Sequence, residues 1–283
     1  MPVRHPANAA EFRAMRTAPT TPLEPRAPQP SAPAGWRVRS SAFEGGAEVP
    51  PHQHAEAQLV FALSGVMQVH TGDAQWTIPP QRALWMPAAR RHSIRLLSRT
   101  EMRSVYFSPA LLAGPEVFKR QAEVHVITAS PLIRELVSGL FLRQRTQHMR
   151  SQMAALLLQA LEESPCLPTQ LPMPTSPRLQ AALGGVDGMA VDDCWRLSLA
   201  DAASRAAMSE RSFSRHFSAE LGLNFRAWRQ RARLIASLDL LASPRAVKDI
   251  AATLGFGDAA AYVSSFKALM GCTPGEFREA GDA

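Results

Sequence analysis

Apolar positions repeat in residues 198–278. In a first copy they fall at Leu199, Ala202, Ala203, Ala206, Met208, Phe213, Phe217 and Leu221, and Gly222 closes the run. In a second copy they fall at Val247, Ile250, Ala251, Leu254, Phe256, Tyr262, Phe266 and Met270, closed by Gly271. The copies superimpose with one extra residue, Gly257, in the second turn. This i, i+3, i+4 spacing predicts two short amphipathic helices per copy, meeting at a tight turn. Ser198, with Asp201 three residues on, predicts a helix starting at Leu199 and ending near Ala206, and Ser209 and Asp258 recap the chain for the helices that follow. Gly255 supplies a left-handed residue after the first helix of the second copy. Gly222 and Gly271 end the second helices, and Pro274 bars continuation. Between the copies, residues 224–242 read as one long helix, with Phe225, Trp228, Leu234, Ile235, Leu238 and Leu241 interleaved with arginines.

Upstream the pattern differs. Residues 1–35 carry prolines at 19, 22, 25, 28, 30 and 33 among Ala, Thr and Arg, too little apolar surface to offset ordering, and are expected to be a disordered tail. Residues 36–130 hold short apolar or alternating runs at 58–63, 66–70, 75–78 and 104–107, bounded by Ser64-Gly65, Gly72-Asp73 and Pro79-Pro80. That spacing predicts a small antiparallel β-barrel or sandwich. Residues 131–176 begin with helical periodicity in Leu132, Ile133, Leu136, Val137, Leu140 and Phe141, then in Met149, Met153, Leu156, Leu157, Ala160 and Leu161. A helical hairpin should result, its apolar faces covered by a second copy of the chain or by the chain's own barrel. The Pro, Thr and Ser of 164–177 read as a linker. Residues 177–283 then form an all-α domain, so the fold class is multidomain β plus α.

Charge changes this picture less than its total suggests. The chain has 283 residues and a net charge of +7, but from Pro177 onward 13 Lys and Arg face 12 Asp and Glu. What the last domain does have is local clustering: Arg211, Arg215 and His216, then Arg226, Arg229, Arg231 and Arg233. A patch matters more than a total for a polyanionic partner. The longest apolar run, 154–158, is far below the roughly 18 residues of a membrane span, and Arg4, Glu11, Arg13 and Arg16 interrupt any signal-peptide core. Cys166, Cys194 and Cys272 are scattered and odd in number, without disulfide or zinc spacing, which fits a reducing cytoplasm.

One chemical constellation lies in the β-rich part: Gly46, His52, His54, Gln58 and Gly65, then Pro87 and His92. Strand alternation lets His52, His54 and Gln58 point to one side. The set resembles the two motifs of the cupin family, Gly-x5-His-x-His-x3-Glu-x6-Gly and Pro-x4-His, with Gln58 in place of the glutamate and Ala89 where a glycine is usual. The resemblance makes His52, His54, Gln58 and His92 the candidate ligands of a divalent transition metal. Neutral imidazoles suit zinc, nickel, iron or copper, whereas loss of the carboxylate weakens such a site. The same residues also read as the lining of a metal-free effector pocket, or as satisfied interior histidines. Trp76, Trp85 and Met86 could wall that pocket.

Residues 177–283 resemble the AraC/XylS family of bacterial transcription factors, through Gly255-Phe256, Tyr262, Phe266-Lys267, Gly271-Cys272-Thr273-Pro274 and Phe277-Arg278. Ala207 departs from the glycine usual in the first turn, and Ser264 from an arginine common in the second recognition helix. The resemblance implies a double helix-turn-helix domain that binds promoter DNA, a cupin-type sensor in front of it, a small-molecule effector, and contact with a second copy and with RNA polymerase. In a helix-turn-helix the second helix enters the major groove. The expected DNA-facing set is Ser209, Glu210, Arg211, Ser212, Ser214 and Arg215 in the first copy, and Asp258, Ala259, Ala260, Val263, Ser264 and Lys267 in the second. Arg211 is the expected guanine reader and Arg215 a phosphate contact. The short side chains of the second copy predict anchoring and shape readout. Two rivals stand beside this non-enzymatic reading: a metal-dependent cupin enzyme with a helical tail, and a DNA-binding protein whose barrel senses nothing.

Overall fold

The computed structural model describes residues 35–113, 118–183 and 194–282. Apart from Gly35, the expected disordered tail lies outside the described residues. Strands β1 (Trp36–Phe43), β2 (Glu48–His52), β3 (Ala57–Ser64), β4 (Met67–His70), β5 (Ala74–Ile78), β6 (Arg82–Met86), β7 (His92–Leu96), β8 (Thr100–Phe107), β9 (His125–Thr128), β10 (Cys166–Leu167) and β11 (Gln170–Pro172) form two antiparallel sheets. Their orders are β1-β8-β3-β6-β9-β10 and β11-β5-β4-β7-β2. The expected barrel is therefore a pair of separately hydrogen-bonded sheets, held together by side chains.

Strand β3 explains the layering. Leu59 and Phe61 point outward with Trp85, Val105, Phe107 and Ile127, while Val60 and Ala62 point between the sheets with Met67, Val69, Trp76, Ile94 and Leu96. Burying a Leu or Phe contributes about 1.5–3 kcal/mol. The outer face of the first sheet cannot stay wet, and helices α2 (Pro131–Leu140) and α3 (Gln147–Glu163) cover it; a short helix α1 (Pro109–Leu112) precedes them. Ile133, Leu136, Val137 and Leu140 of α2, with Ala154, Leu157, Leu158 and Leu161 of α3, complete that layer. The buried faces of the hairpin thus pack on the chain's own sheet. Leu132, Met149 and Leu156 remain exposed.

Within the stretch expected as a linker, 164–177, two short segments pair as strands. β10 joins β9 and β11 joins β5. Both are edge strands, where a proline's missing N–H removes no ladder bond. From there the chain ties the halves together. Leu171 and Met173 are buried in the core of the helical half, and Trp228 donates from Nε1 to the Pro172 carbonyl at 2.7 Å.

The helical half comprises α4 (Pro177–Ala182), a 3-10 turn (Cys194–Arg196), α5 (Leu199–Arg205), α6 (Glu210–Leu221), α7 (Phe225–Leu241), α8 (Val247–Thr253), α9 (Ala259–Met270) and α10 (Pro274–Asp282). The Ser198–Asp201 capping box forms, Ser209, Asn224 and Asp258 cap α6, α7 and α9, and Gly222 and Gly271 close α6 and α9 in the left-handed region. Phe213, Phe217, Phe225 and Trp228 interlock in the first repeat, and Phe256, Tyr262, Phe266 and Phe277 in the second. Among the described residues no helix is long and apolar enough to cross a membrane.

Two departures noted in the sequence carry backbone strain. Ala207, in the α5–α6 turn, has φ 53°, where Gly255 in the second repeat has φ 72°. Ala89, where a glycine is usual, has φ 58°. A left-handed alanine costs about 1–2 kcal/mol, partly offset by the greater chain entropy glycine loses on folding. Ala207→Gly should stabilise the protein by about 1 kcal/mol, seen as a higher urea midpoint at unchanged slope; an unchanged or lower midpoint would show that the turn is unstrained.

Burial also sets a pH dependence. His70 is buried, which lowers its pKa from 6.5 to about 4 although Asp73 pulls the other way. The unfolded chain binds this proton more readily, so the stabilisation is complete above pH 6.5 and is lost as pH falls toward 4. The shift corresponds to about 3 kcal/mol. Thermal midpoints should fall across that window, and His70→Gln should flatten part of the slope; an identical slope in the variant would exclude His70 as its source.

Candidate functional site

Between the two sheets, His52 from the end of β2, His54 from the following loop and His92 from the start of β7 bring one ring nitrogen each to within 4.8 Å of one another. The rings of His52 and His92 are 4.3 Å apart and those of His54 and His92 5.2 Å. In each ring Nδ1 is committed to a main-chain carbonyl: Pro50 for His52, Glu56 for His54 and Arg90 for His92. A carbonyl only accepts, so Nδ1 carries the proton and Nε2 the lone pair. Burial, then the neighbouring imidazoles, overcome the Arg90 carbonyl and hold His92 at about pKa 3, keeping it neutral. Its Nε2 is buried without a hydrogen-bond partner. Clustered imidazoles, each pinned to a backbone carbonyl through Nδ1, are the outer-shell arrangement of metal-binding histidines.

Gln58 lies beside them on β3. Its Oε1 is 2.9 Å from His54 Nε2, and its amide nitrogen donates to Ser104 Oγ at 2.9 Å and Tyr106 Oη at 3.1 Å. In this orientation two acceptors face each other, as two ligands of one cation do. With the amide reversed the same contact is an ordinary hydrogen bond. Ser104 and Tyr106 were missed in the sequence, although both lie on the inward face of β8 two residues apart. Ala89 donates to the His54 carbonyl at 2.8 Å and so helps shape the histidine loop. Of the aromatic residues expected near the pocket, Trp85 lies on the opposite face of the sheet, edge-on to Phe118, and Trp76 and Met86 belong to the apolar core between the sheets.

In the helical half, α6 and α9 turn Phe213, Phe217, Tyr262 and Phe266 inward. Ser209, Glu210, Arg211, Arg215, Asp258, Ala260, Ser264 and Lys267 are exposed, and Ser212, Ser214 and Val263 half-buried. Ala259 is partly buried against the core. Ser209 and Asp258 are also the caps of their helices, accepting from Ser212 and Ala261.

The arginines of α7 do not form the surface patch their clustering suggested. Arg229 donates to the Leu197 carbonyl at 2.8 Å. Arg231 donates to the carbonyls of Gln170 and Pro168, and Arg233 lies over Phe256, 5.1 Å from the ring centre. These three hold the fold. Arg226 stays exposed, as do Arg211 and Arg215, which have no hydrogen-bond or ion-pair partner among the described residues. The sheets reach the second repeat as well: Arg82, buried at the start of β6, places its guanidinium 4.9 Å from the ring centre of Phe277 on α10.

Two family models match this chain, an AraC-like ligand binding domain over residues 46–161 and a helix-turn-helix domain over residues 202–280. The HTH-type transcriptional regulator NimR of Escherichia coli is 32% identical over 231 residues, covering 81% of each chain. The chain belongs to the AraC family of transcriptional regulators. The regulatory protein PocR of Salmonella typhimurium is 31% identical over 112 residues, 39% of this chain and 36% of its own. Among solved structures, ToxT of Vibrio cholerae aligns with 87% of this chain and 98% of its own at 12% identity and a TM-score of 0.36. The helix-turn-helix half of this AraC-family regulator is its DNA-binding domain, and the two-sheet half its ligand-binding domain.

Proposed function

We propose that this regulator reads promoter DNA with α6 and anchors on it with α9, under control of a ligand held at the His52–His54–His92 pocket. The observation that carries the first part is the division of labour among arginines. Arg229, Arg231 and Arg233 are spent on carbonyls and an aromatic ring, whereas Arg211 and Arg215 are free on the outward face of α6. Arg211, in the first turn of that helix, reads a guanine through its O6 and N7 acceptors, and Arg215, a turn later, holds phosphate. Glu210, Ser212 and Ser214 flank them. On α9, Ala259, Ala260, Val263 and Ser264 offer no long donor, so that helix supplies apolar and shape contacts, with Lys267 on phosphate.

For the pocket we assign a divalent transition metal to His52, His54 and His92, with Gln58 as a fourth donor. Pinned Nδ1 atoms and the orphaned Nε2 of His92 support it. When bound, the metal would supply a Lewis-acidic attachment point for an effector; the chain's own part is to orient the donors and exclude bulk water. Occupancy reaches the DNA-binding half along β6, which carries Met86 opposite Gln58 at one end and Arg82 against Phe277 at the other. The role is regulatory rather than enzymatic, in keeping with NimR and PocR, both named as regulators. Dimerisation in this reading uses the outward side of the α2–α3 hairpin, supported by the exposure of Leu132, Met149 and Leu156. Contact with RNA polymerase rests on the family resemblance alone.

Arg211→Ala should relax preference at one base position of the operator, costing about 1–3 kcal/mol there, when binding is measured against a set of single-base operator variants. Equal loss on every sequence would assign Arg211 to phosphate. Titration of the purified protein with Zn(II) against a chromogenic chelator should show about one site per chain, weakened more than about tenfold in His52→Ala and His92→Ala and tightened in Gln58→Glu. A wild-type protein that leaves the chelator fully loaded would favour the metal-free pocket, in which Gln58 simply hydrogen-bonds His54.

A further inference from the structure

The donors of the pocket are uncharged: three neutral imidazoles and an amide. A divalent ion held by them keeps its full charge, and the adjacent carboxylate does not offset it. Glu56 is ion-paired with Arg37, whose guanidinium lies 3.7 Å from the centre of the Tyr106 ring. Strand register then brings a second arginine to the same face. Arg37 stands opposite Tyr106 and Arg39 opposite Ser104, and these are the two residues whose hydroxyls bond Gln58. Val38, between them, points to the other side of the sheet. Arg91 immediately precedes His92. Neighbouring arginines are already paired, Arg90 with Asp73 and Arg95 with Glu48. Arg39 and Arg91 are exposed and have no ion-pair partner among the described residues.

A metal ion with neutral ligands and two unpaired guanidiniums at its rim form a site with positive charge on both sides. Such a site selects an anion, and guanidinium forks select an oxyanion with two acceptor atoms. We propose that the effector of this pocket is a small oxyanion, a carboxylate or a phosphate, bound between the metal ion of the histidine trio and the guanidiniums of Arg39 and Arg91. The proposal rests on the metal reading of the pocket. A neutral effector would leave the rim charge unmet, and a cationic one would be repelled.

Cobalt(II) serves as the probe metal, because its visible absorption reports both its binding and any change in its ligands. The full-length protein should develop Co(II) bands, and saturating acetate or inorganic phosphate should shift them; whichever of the two acts at lower concentration identifies the oxyanion. The Arg39→Ala/Arg91→Ala double variant should bind Co(II) as wild type does but require at least about tenfold more anion for the same shift, the equivalent of one lost charge-assisted contact. Both positions are exposed, and circular dichroism checks that the variant folds. Bands that ignore both anions, or an anion response unchanged in the double variant, would overturn the oxyanion while leaving the metal site standing. Absence of Co(II) bands in wild type would overturn the metal reading and this proposal together.

Discussion

Leu59 and Phe61 leave β3 on one side, Gln58, Val60 and Ala62 on the other, and neither set reaches water. A strand buried on both faces demands two partners. The second sheet covers one side and the α2–α3 hairpin the other, so the three layers of the N-terminal half follow from this single constraint. The histidine cluster is a by-product of the same arrangement. Gln58 is the first inward residue of that strand, and its polar side chain is affordable only because Ser104, Tyr106 and His54 satisfy it. The histidines gather at the end of the sandwich where β2 and β7 pair, His52 against His92.

The same economy of polar groups joins the two halves. Residues 166–176 use their backbone twice, once as edge strands of the sheets and once as acceptors for Trp228 and Arg231. Glu220, near the end of α6, accepts from Thr175 and Ser176. Helix α6 of the first repeat is therefore tied to the segment that also extends both sheets, while Arg82 reaches the second repeat. Each repeat has its own physical link to the two-sheet domain, a contiguous route through which the two domains can be coupled.

The two repeats are alike in scaffold and unlike in surface. Both close on left-handed glycines and both bury a pair of aromatic residues from the second helix. The first turn accepts a left-handed alanine where the second has Gly255, and α6 exposes two free arginines where α9 exposes mostly alanine and serine, with Lys267 its one exposed cation. Scaffold positions are constrained by packing, which depends on shape. Outward positions carry no such constraint.

Short-range chemistry was legible in the chain itself. The capping box at Ser198, the caps at Ser209 and Asp258, the helix-ending Gly222 and Gly271, the doubled apolar list and the His52-x-His54 spacing all act within one or two turns of backbone, so the residues that cause them are close in sequence. The positions of Ala89 and Ala207 were visible too, although their positive φ was not. What only tertiary structure decided depends on register between distant segments. It decided that Arg229, Arg231 and Arg233 serve carbonyls and a ring rather than an open face. It made short edge strands of 166–167 and 170–172 within the proline-rich stretch and sent Trp85 to the side of the sheet away from the histidines. It brought Ser104 and Tyr106, more than forty residues away, onto Gln58. Cross-strand pairing is set by how whole layers pack, and no local pattern of residues encodes which distant side chain will stand opposite.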